Sequence, residues 1–156
     1  MIAAGQLVPD LALTDTDGVS YRLRDLYAES AVLIYFMRHT GCPVCNRHVQ
    51  RLAASAARFT ERGVTVLVAV PEDADTAARW ASRKRLPFAV VRGTGRSPHE
   101  TMELTRKLFG SMQQSGTVLI ARGGEIRYLE VATVPTGGYS PRAADEAVVA
   151  LEASAR

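Results

Sequence analysis

Residues 31–45 read Ala31-Val-Leu-Ile-Tyr-Phe-Met37, followed by Arg38-His-Thr-Gly-Cys42-Pro-Val-Cys45. The first part is an unbroken apolar run, which is typical of a strand buried on both faces of a parallel sheet. Pro43 fits the first turn of a helix, where its missing N–H costs no hydrogen bond. The segment therefore predicts a buried strand that leads into the start of a helix carrying two cysteines.

The predicted helix runs to about residue 62, because apolar residues recur at helical spacing and Gly63 can end it. The apolar stripe consists of Cys45, Val49, Leu52, Ala53, Ala56 and Phe59. Cys45 lies on this stripe, whereas Cys42 precedes it. We therefore expect Cys45 to point toward the core and Cys42 to be the more exposed thiol.

Strand and helix patterns alternate on both sides of this segment. Before it, residues 7–13 and 19–23 flank a turn rich in Asp and Gly, which predicts a β-hairpin. After it, strands are predicted at residues 64–70, 88–91, 117–121 and 125–131, with helices at 74–85, from the capping box at Ser97 to Phe109, and from Ser140 onward. The β-α-β order predicts parallel strands, and the late hairpin adds antiparallel ones.

The fold class is therefore predicted to be α/β. It consists of a central mixed sheet flanked by helices on both faces, with an N-terminal hairpin extension, in one domain over residues 1–156. A chain of 156 residues with 47% hydrophobic residues suits one sizeable core.

Composition also bounds the location and the partners. No segment approaches the roughly 20 apolar residues that cross a bilayer, and the N-terminus has no signal-peptide pattern. We expect a cytoplasmic protein without a membrane partner. The net charge is only +3, and the densest basic run, at residues 83–85, has no interleaved aromatic residues. It fits a solvated helix end better than a nucleic-acid site.

The only two cysteines, Cys42 and Cys45, are separated by two residues. In a cytosolic chain such a pair is a redox centre, an inert buried pair or part of a metal site. Zinc prefers four protein ligands or three plus water, and His39 and His48 are the only nearby candidates. A C-x-x-C that follows a buried strand and opens an amphipathic helix favours the redox interpretation.

The start of a helix offers unpaired N–H groups and partial positive charge, which favour a thiolate. Arg38 is either a surface charge or a cation that steadies the thiolate. Thr40 is expected to cap the helix through its hydroxyl, with contact to substrate as the alternative. The candidate catalytic residues are therefore Cys42, Cys45, Thr40 and Arg38. His48 is expected on the helix flank, His99 in a capping turn and Trp80 in packing.

Several segments together resemble a known family. They are Gly5-Gln6-Leu7-Val8-Pro9-Asp10-Leu11 with Asp17-Gly18 and Leu23-Arg24-Asp25-Leu26, residues 31–45, residues 86–91, Leu108-Phe109-Gly110 and residues 116–120. In this order they resemble the peroxiredoxin, or alkyl hydroperoxide reductase-like (AhpC/TSA, redoxin), branch of the thioredoxin superfamily.

The resemblance implies a thioredoxin-like fold, no metal or organic cofactor, and a hydroperoxide or disulfide substrate. It also implies a thioredoxin-type electron donor and, since relatives often form dimers, a homodimer as one expected assembly. Aligned on Cys45, the family's proline and its threonine or serine fall at Arg38 and Cys42. A family arginine that binds and polarises peroxide falls at Ser115, so Arg38 and Arg122 are candidates to replace it.

The two cysteines have two alternative assignments. The peroxiredoxin alignment makes Cys45 the attacking thiol and Cys42 the resolving one, whereas the thioredoxin analogy and the expected exposure reverse the roles. The leading hypothesis is a peroxiredoxin-like enzyme that reduces hydroperoxides through a Cys42/Cys45 dithiol–disulfide cycle. The alternatives are a general oxidoreductase for protein disulfides and a non-enzymatic redox-sensing or zinc-binding module.

Overall fold

The computed structural model describes residues 2–104, 106–107, 112–132 and 137–154. Within these ranges the elements are β1 (Ala12–Asp15), β2 (Ser20–Arg22), α1 (Leu23–Glu29), β3 (Ala31–Phe36), α2 (Pro43–Glu61), β4 (Val64–Ala69), α3 (Ala74–Lys84), β5 (Ala89–Gly93), α4 (Pro98–Thr101), β6 (Arg106–Lys107), β7 (Met112–Gln113), β8 (Ser115–Ile120), β9 (Ile126–Ala132) and α5 (Pro141–Ser154). None of these helices is long and apolar enough to cross a bilayer.

The main sheet has the strand order β2-β1-β5-β4-β3-β8-β9. Strands β3, β4 and β5 are parallel, and the other neighbours in this sheet are antiparallel. The two parallel connections pass through α2 and α3 and advance in one direction along the sheet. Right-handed crossovers then place both helices on the same face. The predicted mixed sheet is confirmed.

Strand β3 lies inside the sheet, between β4 and β8. Its side chains alternate between two buried clusters. Leu33 and Tyr35 join the cluster that includes residues of α2, α3 and α5. Ile34 and Phe36 join the cluster on the opposite face, which includes Leu23 of α1. Helices therefore cover both faces, as predicted, and the carboxyl end of β3 runs into the loop that precedes α2.

The helix predicted from Pro98 to Phe109 is wrong beyond its first turn. Helix α4 ends at Thr101, and Arg106–Lys107 pairs with Met112–Gln113 as an antiparallel hairpin. Glu103 adopts a left-handed backbone with φ of 60°, while the Leu104 N–H bonds the His99 carbonyl at 2.8 Å. These features end the helix as a Schellman motif, with glutamate where glycine is usual. Phe109 and Gly110 lie outside the described residues.

The N-terminal hairpin is confirmed with narrower strands than predicted. The carboxylate of Asp15 accepts the N–H groups of Asp17 and Val19, which closes the turn. Leu7 forms only an isolated bridge to Glu125 instead of part of β1. Helix α1, which directly follows β2, was not predicted, because its seven residues are too few to display a periodic pattern.

His99 holds the end of β3 from the face of the sheet that carries Phe36. Ser97 caps α4 as predicted, but His99 has no exposed surface and donates from Nε2 to the Met37 carbonyl at 2.8 Å. Its ring also stands edge-on to Phe36, with centroids 5.4 Å apart. Burial lowers the pKa of His99 to about 4. A neutral imidazole therefore holds the backbone from which the cysteine loop departs.

We expect the free energy of unfolding to fall between pH 7 and pH 5 because of His99. In this range the unfolded imidazole, with an ordinary pKa of 6.5, takes up a proton, whereas the folded one, with a pKa of about 4, does not. Since the unfolded state binds more protons, stability falls with pH, by roughly 2 kcal/mol over this interval. Urea denaturation at the two pH values measures the change.

The matched variants are His99→Gln, whose amide keeps a donor for Met37, and His39→Gln, which changes an exposed histidine. The first should show a smaller pH dependence than the parent, and the second should retain the parent's dependence. An undiminished pH dependence in His99→Gln would contradict the assignment.

Candidate active site

The two cysteines lie where the carboxyl end of β3 meets the start of α2. Cys42 is the N-cap of α2, and its sulfur accepts the N–H of Cys45 at 3.3 Å. Pro43 occupies the first helical position, as predicted, because a proline there is preorganised and has no N–H to satisfy. Both cysteines are free thiols. The C-x-x-C thus forms one helical turn in which either sulfur can reach the other.

The expectation that Thr40 caps this helix is wrong. The helix begins at Pro43, so the capping position falls to Cys42 rather than to a residue two places upstream. Thr40 instead donates its hydroxyl and its backbone N–H to the same carboxylate oxygen of Glu72, the N–H at 2.9 Å. Its role in the structure is therefore to tie the cysteine loop to the carboxyl end of β4.

A second set of hydrogen bonds holds the loop from the side of α3. Asn46 donates its amide to the carbonyls of Thr40 and Cys42, both at 2.8 Å, and accepts the indole N–H of Trp80 at 2.9 Å. Trp80 is almost fully buried, as expected for a packing residue. Because one amide satisfies three partners, the loop geometry depends on the docking of α3 against α2.

Cys45 is the more buried of the two thiols. It has no exposed surface, and Cys42 retains only 4%. The difference in exposure between the two thiols therefore has the predicted direction but is small. Burial raises the pKa of Cys45, and so does its hydrogen bond with Cys42. Hydrogen bonds from the Tyr35 hydroxyl and the Arg38 backbone N–H act in the opposite direction. Desolvation is the largest of these influences, so the pKa of Cys45 is raised although the helix start favours a thiolate.

Arg38 is buried, with 4% of its surface exposed, so the surface-charge alternative is wrong. Its guanidinium donates to the Gln113 carbonyl at 2.5 Å, to the Ala132 carbonyl at 3.4 Å and to the Ser115 hydroxyl at 3.5 Å. These acceptors are all neutral, and Nε has no partner among the described residues. The positive charge also acts on Tyr35, whose pKa it lowers against the larger effect of burial.

The guanidinium of Arg38 therefore lies against Ser115, the position at which the resemblance places an arginine. Arg122, the other candidate, donates to the Ala28 carbonyl at 3.1 Å. That carbonyl precedes β3, whereas the cysteines follow β3, so Arg122 lies at the opposite end of the sheet. Of the two candidates, the structure brings only Arg38 to the site.

Sequence reasoning missed three residues of the site. Glu72 follows the end of β4 after the dipeptide Val70-Pro71, and an acidic residue at that edge of the sheet was the available signal. Tyr35 carries the only hydroxyl in the apolar run of β3. His48 follows Cys45 by three residues, so both lie on one helix face. It is buried rather than on the flank, with Nδ1 3.1 Å from the Tyr35 hydroxyl.

The described ranges contain no group of three or more histidine, cysteine, aspartate or glutamate side chains placed to hold a metal ion. A zinc-binding role therefore finds no ligand cluster in this part of the chain. The arrangement that is present consists of two adjacent thiols, a buried cation with spare donor capacity and a buried Tyr–His pair. Such a set suits thiol chemistry with an anionic intermediate.

Comparison with protein sequences relates the chain to the AhpC/TSA family and to proteins that are named peroxiredoxins. The model of the AhpC/TSA family matches residues 4–129. Peroxiredoxin Q, chloroplastic, from Triticum aestivum is 23% identical over 128 residues, which are 82% of this chain and 58% of that protein. Putative peroxiredoxin bcp from Helicobacter pylori is 29% identical over 82 residues, 53% of each protein. The chain thus spans less than three-fifths of the length of these relatives.

Solved structures show the same fold. Peroxidoxin BcpB from Mycobacterium tuberculosis superposes with a TM-score of 0.79 at 20% identity, covering 98% of both chains. Reduced Prx3 from Vibrio vulnificus in complex with hydrogen peroxide has a TM-score of 0.78 at 19% identity, covering 97% of this chain and 99% of that one. These matches confirm the thioredoxin-like fold. Since the family model covers most of the sequence, this chain belongs to the AhpC/TSA family.

Proposed function

We propose that this protein reduces hydroperoxides through a dithiol–disulfide cycle of Cys42 and Cys45. The observation that carries the proposal is the pair of free thiols at the start of α2, with the Cys42 sulfur 3.3 Å from the Cys45 N–H. Membership of the AhpC/TSA family supports it, as do relatives that are named peroxiredoxins.

The cycle has three balanced steps. The Cys45 thiolate attacks a peroxide oxygen, the O–O bond breaks, and the departing alkoxide takes up a proton while the sulfur becomes a sulfenic acid. The Cys42 thiol then attacks that sulfur, which forms the disulfide and releases water. An external dithiol of the thioredoxin type returns two electrons and two protons to the disulfide and becomes a disulfide itself.

Attack is assigned to Cys45 and resolution to Cys42. The Tyr35 hydroxyl and the Arg38 backbone N–H both favour the ionised form of Cys45, so the fold supplies donors for a thiolate there. Cys42 retains the small exposed surface that Cys45 lacks. An incoming donor thiol therefore reaches the disulfide at Cys42, which leaves Cys45 as the departing thiolate.

Arg38 is proposed to stabilise the negative charge that develops during the first step. A buried guanidinium without a carboxylate partner is costly, because desolvation is not offset by an opposite charge. Among the described residues no acidic side chain pairs with Arg38, and its Nε is left unsatisfied. A thiolate or a peroxide anion at the site would provide the missing negative charge.

Other expectations stay predictions. A hydroperoxide substrate and a thioredoxin-type donor follow from the proposed cycle, and a cytoplasmic location and a homodimer remain expectations from the sequence. No nucleic-acid or membrane partner and no cofactor are proposed. Contact between Thr40 and a substrate also stays a prediction, next to its observed bonds to Glu72.

Single-cysteine variants should separate the two thiol roles. After one equivalent of hydrogen peroxide, Cys42→Ser should accumulate a sulfenic acid on Cys45, because no resolving thiol is present. Cys45→Ser should react no faster than a free thiol, and the parent should form the Cys42–Cys45 disulfide. Mass spectrometry with a sulfenic-acid trap identifies the oxidised sulfur, and stopped-flow fluorescence gives the rates.

Oxidation of Cys42 first would reverse the assignment. A parent protein that reacts with peroxide no faster than a free thiol, yet reduces insulin disulfides, would replace the peroxidase proposal with general thiol–disulfide exchange. The alkylated parent, with both thiols blocked, serves as the control in each assay.

Replacing Arg38 by methionine should slow peroxide oxidation of Cys45 by about a hundredfold, the usual effect of removing a preorganised donor. Stability should be unchanged or higher, because methionine replaces a buried charge that lacks an ionic partner. Arg122→Met is the matched control, since it removes an arginine at the other end of the sheet, and it should react like the parent. Equal rates in Arg38→Met and Arg122→Met would remove Arg38 from the mechanism.

A further inference from the structure

Tyr35 and His48 form a buried polar pair beneath Cys45. The Tyr35 hydroxyl lies 3.1 Å from His48 Nδ1, and the two rings stand nearly perpendicular, at 82°, with centroids 5.8 Å apart. Tyr35 has no exposed surface and His48 only 6%. The same hydroxyl acts on the Cys45 sulfur, whose pKa it lowers as a hydrogen-bond partner, and the side chains of Tyr35 and Cys45 belong to one buried cluster. Tyr35 is therefore placed to connect Cys45 with His48 inside the core.

The arrangement of Cys45, Tyr35 and His48 addresses a problem that burial creates. A thiol must lose its proton before it can attack, yet the Cys45 sulfur has no exposed surface from which to release it. Burial also opposes the charged form of the sulfur. The proton therefore needs an acceptor within the protein, and that acceptor has to be neutral before the transfer.

We propose that Tyr35 and His48 are a proton relay that ionises Cys45, with His48 as the final acceptor. The inference rests on the proposed function only in that Cys45 is the thiol that must become a thiolate. It assigns proton transfer to Tyr35 and His48. This role follows neither from the spacing of the cysteines nor from the contacts of Arg38.

The hydrogen-bond directions fit both ends of the transfer. With a neutral thiol, the S–H donates to the Tyr35 oxygen, and the Tyr35 O–H donates to the lone pair on His48 Nδ1. When the thiol proton moves to the Tyr35 oxygen, the tyrosine proton moves to Nδ1. Afterwards Nδ1–H donates to tyrosine and tyrosine donates to the thiolate. Both hydrogen bonds that connect the three groups are kept after the transfer, with their directions reversed.

The transfer is a net movement of one proton from sulfur to imidazole. Tyrosine is neutral in both states, which agrees with a pKa raised far above its ordinary value by burial. Once the thiolate has been oxidised and the alkoxide has taken the hydrogen of the peroxide, the sulfenate recovers the proton from His48 by the reverse route. The sulfur then carries the sulfenic acid that Cys42 attacks.

The surroundings of His48 decide how readily it accepts the proton. The pKa of His48 is lowered, mainly by burial and then by Arg51, with a smaller effect of the same sign from Arg47, whereas Glu130 raises it. The titratable and charged groups around the imidazole are Arg47 and Arg51 of α2, Tyr35 of β3, Glu130 of β9 and Tyr139 of the loop before α5. Burial and the arginines keep His48 neutral before the transfer, and they oppose its protonation. The imidazolium therefore depends on Glu130 and on the Cys45 thiolate for stabilisation.

Glu130 is the carboxylate that offsets the charge once His48 is protonated. Its two oxygens accept the hydroxyls of Tyr128 and Ser140 at 2.6 and 2.7 Å and the Gly138 N–H at 3.0 Å. Three donors therefore hold the carboxylate in a fixed position. The imidazolium that the relay creates has a nearby negative charge, besides the Cys45 thiolate itself.

The test measures ionisation of Cys45 and not peroxide turnover, so that its failure is distinct from failure of the proposed peroxidase activity. In a Cys42→Ser background, the pH dependence of iodoacetamide alkylation and of thiolate ultraviolet absorbance reports Cys45 alone. Tyr35→Phe should lower the alkylation rate at neutral pH about tenfold, the usual effect of losing a hydrogen bond to a charged group, and His48→Asn should lower it to a similar extent because it removes the proton acceptor. The double variant should be no slower than the slower single variant.

His48→Asn is the informative substitution, because an amide can hydrogen-bond the tyrosine but cannot take up a proton. Tyr139→Phe is the matched control. Its ring packs on both Tyr35 and His48, at 6.0 Å from each, so it removes a hydroxyl from the same cluster without interrupting the relay. This variant should keep the parent's alkylation profile. Profiles in Tyr35→Phe and His48→Asn that coincide with the parent's would overturn the relay.

A second measurement does not depend on the folding of those variants. Nitrogen chemical shifts of the His48 imidazole in the Cys42→Ser protein should show a larger protonated fraction at neutral pH than the same protein with Cys45 also replaced by alanine. The excess should disappear in that variant because no thiol remains to supply the proton. An identical His48 titration with and without the Cys45 thiol would show that the imidazole does not receive its proton, and the proposal would fail.

Discussion

Burial of polar groups at the carboxyl end of β3 is the constraint on which the rest of the site depends. Within a few residues this strand delivers Tyr35, the Arg38 guanidinium and the backbone that leads to Cys45, all with little or no exposed surface. Each of these groups requires a partner, because an unsatisfied buried polar group costs about 1–3 kcal/mol. The contacts of the site therefore follow from one strand carrying reactive groups into the core.

The partners come from elements that are distant in sequence. His99 donates to the Met37 carbonyl from one face of the sheet, and Asn46 and Glu72 secure the loop from the other side. Both groups of hydrogen bonds bind backbone atoms at the end of β3 and in the loop rather than the cysteine side chains. The chemistry and the scaffold are thus separated, since groups that bind the loop do not compete for the sulfur atoms.

Small residues allow close packing around Ser115, a partner of Arg38. A side chain at Gly116 would place its first carbon 2.7 Å from the Glu130 carbonyl oxygen, and one at Gly138 would come within 2.5 Å of the Ser115 hydroxyl. Strands β8 and β9 and the loop before α5 therefore pack closely at Ser115. A serine there leaves a hydroxyl for Arg38, so the guanidinium enters from β3 although the resemblance places an arginine on β8. The guanidinium therefore lies beside Ser115, at the position where the resemblance places an arginine.

The sequence was most informative where a pattern is local and long. The apolar run of β3 and the stripe of α2 predicted the central strand, the long helix and the position of Pro43, because many residues repeat one period. Helix α1 is too short to show a period. The end of α4 depends on a left-handed glutamate, Glu103, which nothing local indicates. The burial of Arg38 and His48 was not predictable either, since it depends on which distant strands and loops cover them.

The electrostatics of Cys45 also combine a local feature, which the sequence displays, with a tertiary one, which it does not. The helix start is visible in the sequence, and its partial charge favours a thiolate by about 0.3–1 kcal/mol, or up to about 2 in partly buried sites. Loss of solvent acts in the opposite direction and is the largest influence on this thiol. A helix terminus alone therefore does not account for a reactive Cys45. What distinguishes this sulfur is its specific hydrogen-bond partners, the Tyr35 hydroxyl and the Arg38 N–H, so its reactivity depends on tertiary contacts rather than on the C-x-x-C itself.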